Sequence, residues 1–376
     1  MTDETLSIGE IQTRGGRRFG HATLNAPASL NALSLEMIDR LAPQVERWSS
    51  DPGIVGIVLD GAGEKAFCAG GEVAALTRAI KDAPPGQVPS EATDFFEREY
   101  RLDYRLHTFN KPVLCWGHGF VMGGGIGLMA GASHRVVTER SRLAMPEISI
   151  GLYPDVGGSW FLNRMPGRTG LFLALTGAPI NAADACFAGL ADVVIAQADK
   201  PRVLAALAGA EWLGKSGTEA DAVQLSRMLA TFALGVESQP ASPLRGHFDL
   251  IGSLIGNDSL AGIDARLRAA VTHTDPWIAA AAKSYALGSP TSAAITHEVL
   301  RRAKYLSLAQ IFRLEFQLSV GCCAHHDFVE GVRALLIDKD RKPRWQPTTL
   351  AEVTREFVEA HFAPRFEGAH PLADLT

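Results

Sequence analysis

The sequence predicts an α/β fold with parallel strand pairing that gives way to a helical second half. Three observations carry that expectation. Short β-like runs alternate with helical patterns through roughly the first half of the chain. Two of those runs end in glycine-rich turns that open helices. From about Pro201 onward Ala, Leu, Glu and Arg dominate, and clusters of β-branched residues thin out. At 376 residues the chain can bury a substantial core, and its length suits two or three domains or one domain with an appendage.

In chain order, the pattern predicts a strand over 20–24, a helix over 34–48, and strands over 56–60, 113–116, 134–138 and 193–195. The stretch 82–90 holds three prolines and a glycine and reads as a loop, placed to act as a lid or rim. The stretch 113–132 carries few charges, but its glycines punctuate a strand, a turn and a short helix better than a membrane span. Within the helical second half, a pair of amphipathic helices stands out. One runs over 291–304 behind Pro290, and one over 308–322 with apolar residues recurring at three and four; either could pack on the core or on a partner subunit.

A net charge of −5 with dispersed Lys and Arg gives no basis for a nucleic-acid surface. The cluster Arg14, Arg17 and Arg18 reads as a solvated face. Five cysteines, with Cys322 and Cys323 adjacent and no metal spacing, fit free thiols in a reducing compartment. The first residues lack a basic region followed by an apolar core, so the expectation is a cytoplasmic protein without membrane attachment.

The chemistry is concentrated between Met145 and Gly158, where Glu147 and Asp155 lie in an apolar stretch broken by Pro146, Gly151 and Pro154. Apolar surroundings disfavour a carboxylate, so such a pair can be raised toward general acid/base use; the bland alternative is a pair of capping acids. The turns Phe67-Cys-Ala-Gly-Gly-Glu72 and Met122-Gly-Gly-Gly-Ile-Gly127 expose main-chain N–H groups at helix starts. Two such turns facing one another make an oxyanion hole, whereas either one alone serves equally well for tight strand-to-helix packing. Gly125, Gly127 and Ala130 also satisfy a dinucleotide fingerprint, but a β-like run resumes by about Arg135, too soon for a crossover helix. His325 and His326 beside Cys322 and Cys323 do not make a tetrahedral set, because adjacent residues point different ways on a helix. A Gly-x-Ser-x-Gly elbow is absent.

Together these segments resemble the crotonase (enoyl-CoA hydratase/isomerase) superfamily, and within it the 3-hydroxyisobutyryl-CoA hydrolase branch. The resemblance rests on Lys65-Ala-Phe-Cys-Ala-Gly-Gly-Glu72, Met122-Gly-Gly-Gly-Ile-Gly-Leu128, Ala144-Met-Pro-Glu147, Ile150-Gly-Leu-Tyr-Pro-Asp-Val-Gly-Gly158, Leu173-Ala-Leu-Thr-Gly177, Ser289-Pro-Thr-Ser292 and Asp327-Phe-Val-Glu-Gly-Val-Arg333. It implies a crotonase-like spiral of ββα turns over 5–198 holding an acyl-CoA site. An extended C-terminal helical region over 199–376 would pack on that core or on a neighbouring subunit, which admits a homo-oligomer. It also implies oxyanion donors at Gly71 and Gly124 and an acid pair at Glu147 and Asp155. Substrate contacts would fall on Glu99, Gly124, Glu147 and Asp155, with no metal and no cofactor beyond the coenzyme A of the substrate.

The resemblance further implies which reaction is run. Hydratases of the superfamily carry one glutamate in the helix after the triple glycine, where this chain has Gly127, and one at the position of Glu147. The position of Asp155 is typically glycine in hydratases and acidic in the hydrolase. Adding water across a C=C bond needs an acid and a base at two carbons; cleaving a thioester needs attack at one carbonyl carbon and support of its oxyanion. The expectation is therefore hydrolysis of 3-hydroxyisobutyryl-CoA, or of a similar short 3-hydroxyacyl-CoA, as in valine catabolism. The alternatives are an enoyl-CoA hydratase or isomerase, and a non-catalytic crotonase-fold binding protein.

Overall fold

A computed structural model of the chain describes residues 4–84, 86–257 and 259–376. Among these residues nine strands form two sheets: β1 Leu6–Gln12, β2 Arg18–Leu24, β3 Ile54–Gly61, β4 Ala66–Cys68, β5 Val113–Gly117, β6 Phe120–Met122, β7 His134–Val137, β8 Arg142–Ala144 and β9 Val193–Val194. The larger sheet runs β1-β2-β3-β5-β7-β9, and the smaller runs β4-β6-β8. Only the β1/β2 hairpin is antiparallel in the larger sheet; every later pairing there is parallel. Successive turns of chain thus place one strand in each sheet: β3 then β4, β5 then β6, β7 then β8. This is the repeated ββα winding the family resemblance implied. Strands buried on both faces read as near-continuous apolar runs, as Ile54–Gly61, buried along its whole length, does as far as Leu59.

Helix α1, Leu35–Ser50, starts where the Ser34 hydroxyl accepts from the Met37 amide. Helix α2, Val73–Asp82, follows the first glycine turn, and α3 spans Ser90–His107. The loop expected over 82–90 lies between them; its Pro85 falls outside the described residues. Helix α4, Gly124–Ala130, follows the second glycine turn and is only seven residues long. The chain then returns to the sheet at β7, so a dinucleotide crossover has no room here.

Beyond β9 no further strand occurs among the described residues. Ser289 accepts from the Ser292 amide, and Pro290 occupies the first position of helix Pro290–Ala303. Helix Leu308–Cys323 opens with a reciprocal capping box between Ser307 and Gln310. Among the described residues no helix is long and apolar enough to cross a membrane.

Packing divides the chain into two compact units of three segments each. One comprises Met1–Gly71, Leu102–Leu143 and Ile180–Ser242. Its core sets Phe19, Val55, Val58, Leu114, Trp116 and Val136 of the sheet against Val203, Leu207, Leu225 and Leu229 of later helices. The other comprises Glu72–Arg101, Ala144–Pro179 and Pro243–Thr376. The helices 290–303 and 308–323 belong to this second unit, which also carries the segment with Glu147 and Asp155.

Candidate active site

Three carboxyls converge inside the second unit. Glu99 comes from α3, Glu147 opens the 3-10 turn Glu147–Ile150, and Asp155 lies just beyond it. Their exposures are 2%, 4% and 5%, so none is a solvated surface acid. Glu99 Oε1 and Glu147 Oε2 are buried with no hydrogen-bond partner. A fold held only by packing rarely strands carboxylate oxygens in this way, because each unmet acceptor costs desolvation energy; a ligand that supplies the missing donors removes the cost.

Electrostatics bind the three into one set. Burial raises Glu99 well above the ordinary carboxylate range, and the charge of Asp155 adds to the rise. Burial raises Glu147 likewise, with Asp155 and then Glu99 contributing. Asp155 rises less, to about 6, because burial is countered by the hydrogen bond from Tyr100. Like charges in a dry site cannot all ionise together, so Asp155 is the first of the three to lose its proton.

Residues with no chemical signature in the sequence organise Asp155. The Tyr100 hydroxyl donates to Asp155 Oδ2 at 2.6 Å and lies 2.7 Å from Ser319 Oγ. Ser319 Oγ is also 2.9 Å from the Tyr153 hydroxyl, which donates to the Glu315 carbonyl at 2.7 Å. The Glu315 side chain accepts from the amides of Gly157 and Ser159 at 2.7 and 2.8 Å. Val156 and Gly157 both have positive φ, 52° and 81°, a conformation that a non-glycine residue adopts only when its surroundings enforce it. The Glu315 clamp supplies that enforcement. Burial pushes the Glu315 carboxyl itself up to about 8, against the pull of the two amides. The sequence did offer a signal: Glu315 and Ser319 stand four residues apart, on the buried and otherwise mostly apolar face of an amphipathic helix.

The two glycine positions lie in the other unit. Gly124 is the first residue of α4, where an amide has no carbonyl one turn earlier to bond. Gly123 before it has φ 47° and ψ −122°, a conformation open to glycine. Gly71 follows Gly70, whose φ is 105°, and forms a parallel bridge with Leu33. Gly127 is buried within α4.

The His and Cys residues over 322–326, read above as no metal set, make other contacts. His325 stacks on His361 with ring centroids 3.6 Å apart, and its Nδ1 meets the Gly321 carbonyl. Among the described residues no group of three or more His, Cys, Asp or Glu side chains is placed to hold a metal.

A model of the enoyl-CoA hydratase/isomerase family matches residues 19–362. The chain is 39% identical over 355 residues to the mitochondrial 3-hydroxyisobutyryl-CoA hydrolase of Gallus gallus, covering 94% of this chain and 88% of that protein. It is 37% identical over 362 residues to the Homo sapiens protein of the same name, covering 96% and 90%. Among solved structures, a carnitinyl-CoA dehydratase from Mycobacterium thermoresistibile superposes with a TM-score of 0.83 at 37% identity, covering 96% of this chain and 97% of that one. An enoyl-CoA hydratase from Rhodobacter sphaeroides superposes at 0.81 with 36% identity, covering 96% and 98%. The ββα winding, the glycine turn at the head of α4 and the match over nearly the whole length agree: this chain belongs to the enoyl-CoA hydratase/isomerase family.

Proposed function

We propose that this protein is an acyl-CoA thioester hydrolase that cleaves 3-hydroxyisobutyryl-CoA, or a similar short 3-hydroxyacyl-CoA, to the free hydroxy acid and coenzyme A. The observation that carries the reading is the buried acid Asp155, bonded to Tyr100 and electrostatically linked to Glu147, in a chain whose α4 has Gly127 where a hydratase has its glutamate. The names of the curated relatives support the same reading.

In the proposed mechanism the amides of Gly71 and Gly124 stabilise the thioester oxygen as negative charge develops there. Glu147, as its anion, attacks the carbonyl carbon to give a mixed anhydride that water then opens, or it takes a proton from the attacking water. Asp155 orients the 3-hydroxyl or that water and manages the proton delivered to the leaving thiolate. Glu99 accepts a hydrogen bond from the acyl group through its unpaired oxygen. No cofactor beyond the coenzyme A of the substrate enters, and a place in valine breakdown follows from that substrate.

A second reading is hydration or dehydration of an enoyl thioester, favoured by the names of the two solved structures. Thiol release from 3-hydroxyisobutyryl-CoA, followed beside loss of enoyl absorbance from crotonyl-CoA, separates the two. Faster thiol release supports the hydrolase, faster hydration replaces it with the hydratase, and neither activity leaves a binding protein. For location, five cysteines in no disulfide among the described residues fit a reducing, cytoplasmic compartment, while the vertebrate relatives carry "mitochondrial" in their names. Cell fractionation decides between these.

A further inference from the structure

The hydroxyl array behind Asp155 has a proton count that only certain arrangements satisfy. The Glu315 carbonyl can only accept, so the hydrogen of the Tyr153 hydroxyl is committed to it. When Asp155 is an anion it too only accepts, so the hydrogen of Tyr100 is committed to Oδ2. Ser319 is left as the donor for both of its phenol contacts, at 2.7 and 2.9 Å, with one hydrogen to give. When Asp155 is protonated, every contact can carry a hydrogen: Asp155 donates to Tyr100, Tyr100 to Ser319, Ser319 to Tyr153, and Tyr153 to the Glu315 carbonyl. Hydrogens reorient within their own hydroxyls, and no bond in the array is lost.

We propose that Tyr100, Ser319 and Tyr153 form a positioning array that holds Asp155 in one place in both of its protonation states, so that it can take up and return a proton in each turnover. The proposal rests on the hydrolase reading for what the proton does, but its structural core concerns Asp155 alone. Tyr100, Tyr153 and Ser319 are fully buried, so water does not substitute for any member. Tilted ring contacts from Phe96 and Phe312 hold the Tyr100 ring in place. Other titratable groups around Asp155 are Glu99 from α3, Glu147 from the 3-10 turn, and Glu315, Cys322 and Cys323 from helix 308–323. Burial holds each of these toward its neutral form, so the array is the dominant influence that favours the Asp155 anion.

The array has a direction, which makes the test specific. Tyr100→Phe removes the donor to Oδ2 and should raise the acidic limb of kcat by about one pH unit, with KM little changed and kcat at neutral pH down about tenfold or more. Ser319→Ala should move the limb the same way by less, since Tyr100 keeps its own hydrogen. Tyr153→Phe removes the competitor for the Ser319 hydrogen, so that hydrogen goes to Tyr100 alone, strengthening the Tyr100 bond to Asp155; the limb should stay or move to lower pH. A merely structural array would make all three variants alike. Independently of activity, isotope-edited infrared titration of aspartate carboxyls, with Asp155→Asn subtracted, should show the same order of shifts in the ligand-free protein. Equal titration in wild type and Tyr100→Phe, or equal upward shifts in all three variants, overturns the proposal. Shifts in the expected order from a protein that releases no thiol would keep the array and discard the hydrolase reading. Thermal melting of each variant confirms that the titrations compare folded proteins.

Discussion

At the scale of residues, the site is a competition between burial and ionisation. Glu147 pays for its apolar position by holding its proton, and catalysis needs the anion, so stability and function pull apart there. Glu147→Gln is nearly isosteric and should keep the fold while lowering kcat by about a thousandfold or more; thiol release at near-normal rate would remove Glu147 from the mechanism. The same change tests the electrostatics. A carboxyl raised in the folded state contributes stability that is present below its unfolded value and lost as pH rises. Gln does not titrate, so as pH rises above the ordinary carboxylate value of 4.5 the Tm of Glu147→Gln should fall less than that of wild type. Asp155 is also needed as its anion at the start of turnover, so kcat should drop as pH falls, with the Asp155 contribution setting in near 6. A flat profile across that range would take Asp155 ionisation out of the rate.

At the scale of elements, short pieces hold the acids where long ones could not. The turn Glu147–Ile150 ends at Gly151, whose φ is 73° and whose missing Cβ would sit 2.1 Å from the Asp327 carbonyl oxygen. Gly331 on the neighbouring helix His326–Val332 leaves the same kind of room, since a Cβ there would stand 2.3 Å from the Ile150 carbonyl carbon. The two glycines let the turn lie against the helix backbone. Gly151→Ala combines a left-handed conformation with a backbone clash and should cost about 3 kcal/mol or more, read as a lower Tm together with a lower kcat. A wild-type Tm would show that the turn moves away at no cost. The later helices matter too, because Glu315 on helix 308–323 holds the Gly157 and Ser159 amides just after Asp155, and Ser319 meets Tyr100, the donor to Asp155.

At the scale of the whole molecule, each compact unit is tied by contacts far apart in sequence. In the first unit, Asp60 at the end of β3 is 2% exposed and is met at 2.9 Å by both His21 of β2 and Lys200 from beyond β9. Burial pushes its carboxyl up, but the His21 hydrogen bond and the Lys200 charge outweigh this and hold it at about 2. A lowered carboxyl contributes stability that is present above its unfolded value and lost as pH falls through the folded one, so this term disappears between about pH 4 and about pH 2. Lys200→Met strands a buried anion and should lower unfolding free energy by about 2 to 3 kcal/mol at neutral pH, measured by urea denaturation. Unchanged midpoints would mean that His21 alone carries Asp60.

Local patterns were enough for the alternation of strands and helices, the glycine turns and the apolar setting of Glu147 and Asp155, because each depends on residues close together in the chain. The strands over 20–24, 56–60, 113–116, 134–138 and 193–195 fall on β2, β3, β5, β7 and β9. Strands β4, β6 and β8 are three residues each, too short for a period to register, and in β1 the pair Gly9 and Glu10 between Ile8 and Ile11 breaks the alternation that marks a strand. What only the tertiary structure decided is the company the acids keep. Ser319 reaches Tyr100 across 219 positions and Glu315 reaches Gly157 across 158, and no local pattern encodes partners at such distances. The protonation order of Glu99, Glu147 and Asp155 depends on that company, since burial and donors are properties of the packed site and not of the residue type.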